Sequence, residues 1–187
     1  MLLATPFTIC PVMSDIDIKR LVRTVPDFPK PGISYKDITP ILSNPEALAA
    51  VVDSLARRYR GRVDAIVGIE SRGFIVGAPL AYVLGVGLSV VRKAGKLPYH
   101  TRAVSYQLEY GSDTLEIHTD ALGSGARTLV VDDLLATGGT ASAAAQLVTE
   151  IGAEVVECAF IIELAFLGGR RRLEPLLCHS LITYEEG

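Results

Sequence analysis

Two neighbouring carboxylates, Asp132 and Asp133, stand between an apolar β-branched run and a turn of small residues, Ala136-Thr137-Gly138-Gly139-Thr140. The run Leu129-Val130-Val131 reads as a buried strand of a parallel sheet, and the alanine-rich stretch 141–148 as the helix after the turn. A strand, a tight turn and a helix start gather free backbone N–H groups at one point, which makes an anion site. Gly138 and Gly139 let a ligand approach the backbone, and Thr137 and Thr140 add hydroxyl donors. Carboxylates beside a phosphate cradle repel the ligand unless they bind sugar hydroxyls or a Mg²⁺ shared with the phosphates. The chemistry is that of a phosphorylated sugar with a metal rather than of a free phosphate. No lysine follows the second glycine, so the turn is not a Walker A loop, nor does it read GxGxxG.

Two more groups of residues suit a polyanion. Glu70-Ser71-Arg72-Gly73 closes a strand predicted over 63–69 and opens a helix over 73–84, at a strand's carboxyl end where open α/β sheets hold ligands. Arg72 could pair with Glu70, but beside a second anion-sized turn its guanidinium fork suits a diphosphate. Arg92, Lys93 and Lys96 follow a strand over 87–91; a solvated basic turn is the ordinary reading, and two anion turns elsewhere shift it toward pyrophosphate. Residues 94–107 are polar without strong periodicity and read as a long mobile lid. The lid ends in Ser105-Tyr106-Gln107-Leu108-Glu109-Tyr110-Gly111, after which Leu115 and Ile117 alternate as a strand.

These groups need a frame. Ile18, Leu21, Val22 and Val25 have helical spacing, with Ser14 or Asp15 as the cap. Residues 28–38, with two prolines and a glycine, form an ordered extended connection. Ser43 and Glu46 are spaced as a capping box for a helix that buries Leu48, Val51, Val52 and Leu55. Strands over 155–162 and 180–184 complete the chain. The run Gly168-Gly169-Arg170-Arg171-Arg172 reads as a turn into a helix with a solvated basic face, and no role is given to it. Alternating strands and helices make an α/β fold with a mainly parallel twisted sheet flanked by helices.

A chain of 187 residues, 49% hydrophobic and 21% charged, suits one α/β domain over 14–187, with 1–13 as an extension and Met13 as an alternative start. A net charge of −3 gives no case for nucleic acid, and no apolar run is long enough to span a membrane. Pro6, Pro11 and the lack of a basic start argue against a signal peptide, so the cytoplasm is expected. Cys10, Cys158 and Cys178 lack metal spacing, and Cys158 reads as a reduced core residue. His100, His118 and His179 are scattered singly, with no metal partner at ligand spacing.

The stretch 129–141 resembles the phosphoribosyl-pyrophosphate motif of the type I phosphoribosyltransferases, and Leu134-Leu135-Ala136-Thr137-Gly138-Gly139-Thr140 resembles its adenine-specific form. Residues 105–111 are similar to that family's catalytic loop, and 28–38 to the segment that covers adenine, with Tyr35 where the family more often has Phe. The resemblance runs over residues 28–184 and implies the type I fold with a small N-terminal hood. It implies transfer of 5-phosphoribosyl from phosphoribosyl pyrophosphate to adenine, giving AMP and pyrophosphate, with Mg²⁺ as cofactor. On that resemblance Asp132 and Asp133 bind the ribose hydroxyls, and Ala136, Thr137, Gly138, Gly139 and Thr140 the 5′-phosphate. Ser71, Arg72 and Lys96 hold pyrophosphate. Ile33, Ser34, Tyr35 and Lys36 meet adenine, and Glu109 is the acid–base residue. The metal sits on ligand oxygens and water, with no protein side chain named. A homodimer is implied too, with Arg92 reaching the partner's site. Two rivals stand beside this reading: a transferase for hypoxanthine, guanine or xanthine, and a non-catalytic sensor of phosphoribosyl pyrophosphate. The adenine-type motif speaks against the first, and the retained Arg72, Lys96 and 105–110 against the second.

Overall fold

A computed structural model describes residues 16–107 and 111–186. The chain divides into two compact units, one up to Ser54 and one from Leu55.

In the first unit, Asp17 caps a 3₁₀ turn, Ile18–Leu21, by accepting the Lys19 N–H at 3.1 Å. The helix expected over 17–25 ends there, because Arg23–Val25 (β1) pairs antiparallel with Tyr35–Asp37 (β2). A β-branched Thr-Val pair with a strand partner favours the extended backbone over a second helical turn. Thr39–Ser43 forms a short helix (α1), and Pro45–Tyr59 (α2) begins after it and crosses into the second unit. The cap of α2 is Asn44, whose side-chain oxygen accepts from the Glu46 and Ala47 N–H groups at 3.0 Å each. Ser43, expected in that role, bonds the Pro40 carbonyl from the last turn of α1 instead. Val51, Val52 and Leu55 are buried as expected, while Leu48 is half-buried.

The second unit is built on a seven-stranded sheet. Its strands are Ala65–Ile69 (β3), Gly87–Lys93 (β4), Thr101–Gln107 (β5), Ser112–His118 (β6), Arg127–Leu135 (β7), Glu154–Leu164 (β8) and Cys178–Tyr184 (β9). The order is β5-β6-β4-β3-β7-β8-β9. The pairs β4·β3, β3·β7, β7·β8 and β8·β9 are parallel; β6 pairs antiparallel with β4, and β5 with β6. Continuous apolar sequence in β3 matches burial of every residue in it. Helix α3, Arg72–Leu84, connects β3 to β4, and Gly139–Glu150 (α4) connects β7 to β8. These crossovers step in opposite directions along the sheet, so right-handed connections put α3 and α4 on opposite faces. Packing agrees: Ala141, Ala144, Leu147 and Val148 of α4 share a core with Val67 and Ile69, while Gly77 of α3 lies against Ile66. A short helix, Gly169–Leu173 (α5), lies between β8 and β9.

The stretch expected to be a loose lid is in large part strand β5, hydrogen-bonded along its length to β6. Only Val104 of β5 is fully buried, so its sequence carries little apolar alternation, and the partner strand supplies the order. Cys158 is buried as a free thiol, its pKa pushed up to about 12 by burial and then by the nearby Cys178 and Glu157. Among the described residues no helix is long and apolar enough to cross a membrane.

Candidate active site

The sheet order reverses between β3 and β7, and at such a switch point the loops leaving two parallel strands part and leave a crevice. A cleft of about 370 Å³ opens there, lined by the loop after β3, the end of β7 and the start of α4. The Glu70–Ser71 peptide is cis, and α3 begins at Arg72. A Cβ on Gly73 would lie 2.5 Å from the Val131 carbonyl oxygen. Glycine there lets the helix start press against the backbone of β7. That contact carries Arg72 across to Asp133, whose carboxylate accepts from the Arg72 Nε. The guanidinium of Arg72 thus pairs with Asp133, across the cleft from its own loop.

The two aspartates differ in environment. Asp133 is 3% exposed and ion-paired. Asp132 is partly exposed; its carboxyl accepts the Asp133 N–H at 2.9 Å and lies near the start of α3. Burial, followed by the charge of Asp133, raises the Asp132 pKa well above the usual carboxylate range. A ligand that supplies hydroxyl donors or a cation there would favour the ionised form.

Beyond Leu135 the chain turns through Ala136 and Thr137 into Gly138, whose φ of +78° is a left-handed conformation that glycine adopts without cost. Helix α4 then starts at Gly139, and the N–H groups of a helix's first turn have no intrahelical acceptor. Thr140 Oγ1 lies 3.3 Å from the Tyr106 hydroxyl, so strand β5 touches the cradle directly. Ala136, Thr137, Gly138, Gly139 and Thr140 all line the cleft, together with Asp132, Asp133 and Arg72.

The third group gathers around Glu70. Its carboxylate accepts from the Lys93 N–H at 3.1 Å and from Arg92 Nε at 3.3 Å, and is ion-paired with Lys96. Burial alone would raise the Glu70 pKa, but the hydrogen bonds from Lys96, the Lys93 N–H and Arg92 outweigh it and bring it to about 2. Arg92 also donates to the Lys96 carbonyl oxygen at 3.1 Å, which folds this basic turn back on itself. Lys93 pairs with Asp113 at 3.0 Å.

Glu70, Tyr106 and Asp113 line the cleft although residue types alone gave none of them a role, and Lys93 of the basic turn lines it with them. Lys93 and Asp113 sit on β4 and β6, and only the antiparallel pairing brings them together. The basic run in α5 is not simply a solvated face. Arg170 is ion-paired with Glu163, which is 4% exposed, and donates to the Cys178 carbonyl at 2.6 Å. Ile33, Ser34, Tyr35 and Lys36 belong to the first unit, where the rings of Tyr35 and Phe28 meet edge-on at 5.2 Å. Lys36 Nζ bonds Thr24 Oγ1 at 3.2 Å there. Glu109 lies outside the described residues.

A polyanion bound in this cleft would face four lining carboxylates, Glu70, Asp113, Asp132 and Asp133, and two lining cations, Arg72 and Lys93. Among the described residues no group of three or more His, Cys, Asp or Glu side chains could hold a metal.

The phosphoribosyl transferase domain family matches residues 35–176. An adenine phosphoribosyltransferase of Roseiflexus sp. (strain RS-1) is 61% identical, with 88% of this chain and 96% of that protein covered. The crystal structure of adenine phosphoribosyltransferase from Thermoanaerobacter pseudethanolicus superposes with a TM-score of 0.87 at 50% identity, covering 89% of this chain and 98% of that one. The Saccharomyces cerevisiae enzyme, complexed with D-2,5-dideoxy-2,5-imino-altritol 1,6-bisphosphate and adenine, superposes with a TM-score of 0.85 at 41% identity, covering 88% and 96%.

Proposed function

The chain belongs to the adenine phosphoribosyltransferases of the phosphoribosyl transferase domain family, and on that premise we propose which of its residues carry the reaction. The reaction is purine salvage: 5-phosphoribosyl passes from phosphoribosyl pyrophosphate to adenine, giving AMP and pyrophosphate.

One observation carries the assignment of roles. The Asp132–Asp133 pair and the 136–140 turn share one cleft with Arg72 at the sheet's switch point. The turn and the first N–H groups of α4 hold the 5′-phosphate, with the Thr137 and Thr140 hydroxyls as further donors. Asp132 and Asp133 accept from the ribose hydroxyls. Ser71, Arg72 and Lys96 take the pyrophosphate, Arg72 and Lys96 exchanging their present carboxylates, Asp133 and Glu70, for phosphate oxygens. The acidic excess of the lining fits a Mg²⁺ that arrives on ligand oxygens and water. When bound, that ion neutralises charge on the departing pyrophosphate.

Breaking the C1–O bond leaves an oxocarbenium-like ribosyl centre, which adenine N9 attacks. Glu109 manages the purine proton as N9 becomes the nucleophile, a contribution of roughly 10²- to 10⁴-fold for a placed acid–base group. Exclusion of water by the 105–111 segment protects the ribosyl centre from hydrolysis. Ile33, Ser34, Tyr35 and Lys36 meet the adenine. Residues 14–187 act as one phosphoribosyltransferase domain, after an extension over 1–13. The enzyme works as a cytoplasmic homodimer in which Arg92 approaches the partner's site. Exposed Ile75 and Tyr82 on α3 supply an apolar face for the dimer, and the free Cys158 and Cys178 suit a reducing compartment.

The test is pyrophosphate release with Mg²⁺ and phosphoribosyl pyrophosphate, comparing adenine, hypoxanthine, guanine and no base, for the wild type and Glu109→Ala. Turnover with adenine alone that collapses in the variant is expected. Turnover that survives in Glu109→Ala removes that residue from the mechanism, and turnover with hypoxanthine or guanine overturns the base assignment.

A further inference from the structure

Helix α5 is short, yet it is fixed against the phosphate loop on three sides. A Cβ on Gly169 would lie 2.1 Å from the Ala136 carbonyl oxygen and 3.0 Å from the Gly138 nitrogen, so the helix backbone rests on the loop backbone. Arg170 is tied to the buried carboxylate of Glu163 and to the Cys178 carbonyl. Leu173 is 2% exposed and belongs to the core shared with α4 and β7. A helix held this way has little freedom to rotate, and it projects Arg172 over the start of α4. The Arg172 guanidinium carbon and Nη1 each lie 3.5 Å from the Cβ position of Gly139, and the Tyr106 ring lies 3.3 Å from the same point.

The charges around Arg172 single it out. The two cations that line the cleft, Arg72 and Lys93, are paired with Asp133 and Asp113. Residues 136–140 carry no charged side chain at all. A phosphate monoester brings a charge of about −1.5 to −2 to that end of the cleft. Arg170 is occupied by Glu163, whereas Arg172 has no ion-pair partner among the described residues. We propose that Arg172 is the cation of the 5′-phosphate end. It adds a guanidinium to the backbone and hydroxyl donors of 136–140 and discriminates phosphorylated from unphosphorylated ligands. The inference rests on the reading that residues 136–140 hold the 5′-phosphate.

The experiment measures AMP and adenine dissociation constants and the kinetics of phosphoribosyl pyrophosphate for Arg172→Gln, Arg172→Lys, Arg171→Gln and Thr140→Ala. Arg171 is the control, because it lines a separate cleft with Thr183 and Glu185. A charge-assisted contact predicts that Arg172→Gln weakens AMP binding and raises the KM of phosphoribosyl pyrophosphate by roughly 10- to 100-fold. The adenine constant and kcat stay within about twofold, as expected where ground state and transition state lose the same contact. Arg172→Lys recovers part of the AMP affinity, and Arg171→Gln matches the wild type. Equal losses for AMP and adenine would mean a structural role and overturn the proposal, as would no recovery by Arg172→Lys or an equal loss in Arg171→Gln. If Arg172→Gln binds AMP normally while Thr140→Ala does not, the cradle stands and the role of Arg172 falls. If neither variant loses AMP affinity, the cradle reading itself fails.

Discussion

Replacing Gly169 by alanine tests whether the 136–140 turn, the proposed phosphate loop, is held in shape from outside the cleft. The added Cβ would lie 2.1 Å from the Ala136 carbonyl oxygen, where real Cβ contacts are essentially never under 3.0 Å, so the two backbones must part by about 0.9 Å. The obstacle is backbone on both sides and cannot be relieved by a rotamer change. Ala136 begins the turn that leads through Gly138 into α4, so the displacement is delivered to the N–H groups proposed to receive the 5′-phosphate. A misplacement of about 1 Å at a binding constellation costs on the order of 10²-fold, equivalent to about 2.7 kcal/mol of transition-state stabilisation. Overpacking also lowers fold stability by about 1–3 kcal/mol. Steady-state kinetics with each substrate varied, together with thermal melts, read both effects. Gly168→Ala is the companion variant: its φ of +69° strains an alanine, but nothing lies within 4 Å of the new Cβ. It loses about 1 kcal/mol of stability and keeps near-normal kinetics. A folded Gly169→Ala enzyme with the wild-type KM for phosphoribosyl pyrophosphate would refute the claim that α5 shapes the loop.

Arg58→Ala strands the carboxylate of Glu157, which is 1% exposed and held by Arg58 at 2.8 and 3.3 Å. Because Arg62 stands 4.0 Å away and can partly substitute, a loss of about 2–3 kcal/mol is expected, a fall in Tm of roughly 4–12 °C. The kinetics of the folded variant stay unchanged; a melting temperature equal to the wild type would show that the pair adds nothing. Glu70 has its carboxyl lowered from 4.5 to about 2, so its hydrogen bonds stabilise the fold fully above pH 4.5 and progressively less as the pH falls toward 2. The gap in urea midpoint between wild type and Glu70→Gln should narrow across that window, and a constant gap would contradict the ion-pair account. Asp133→Asn removes the anionic partner of Arg72 and a proposed acceptor for the ribose. It should raise the KM of phosphoribosyl pyrophosphate about tenfold or more with adenine affinity untouched, and an unchanged KM would exclude Asp133 from ribose binding.

Local sequence carried the elements that are bounded by local rules. β3, α3, β7 and α4 lie within a few residues of their expected places, because continuous apolar runs and small-residue turns specify buried parallel strands and the helices that follow. Where two local rules competed, partners decided. Asn44 and Ser43 are both good caps, and the separate helix α1 takes Ser43 for its own last turn. Residues 23–25 continue a helical apolar spacing, but pairing with β2 makes them a strand. Strand β5 has no periodicity to read, since a single residue of it is fully buried and its order comes from β6.

The amino-acid sequence by itself determined the chemistry of the cradle, since two carboxylates ahead of an Ala-Thr-Gly-Gly-Thr turn limit what can bind by charge and backbone freedom alone. Tertiary structure alone decided the partners: Arg72 with Asp133, Lys96 and Arg92 with Glu70, Lys93 with Asp113, and Arg172 over Gly139. Side-chain type states which charge is offered, but which charge meets it depends on strand order and on backbone approaches such as Gly73 on β7 and Gly169 on Ala136. Those approaches join residues distant along the chain, and no local spacing encodes them.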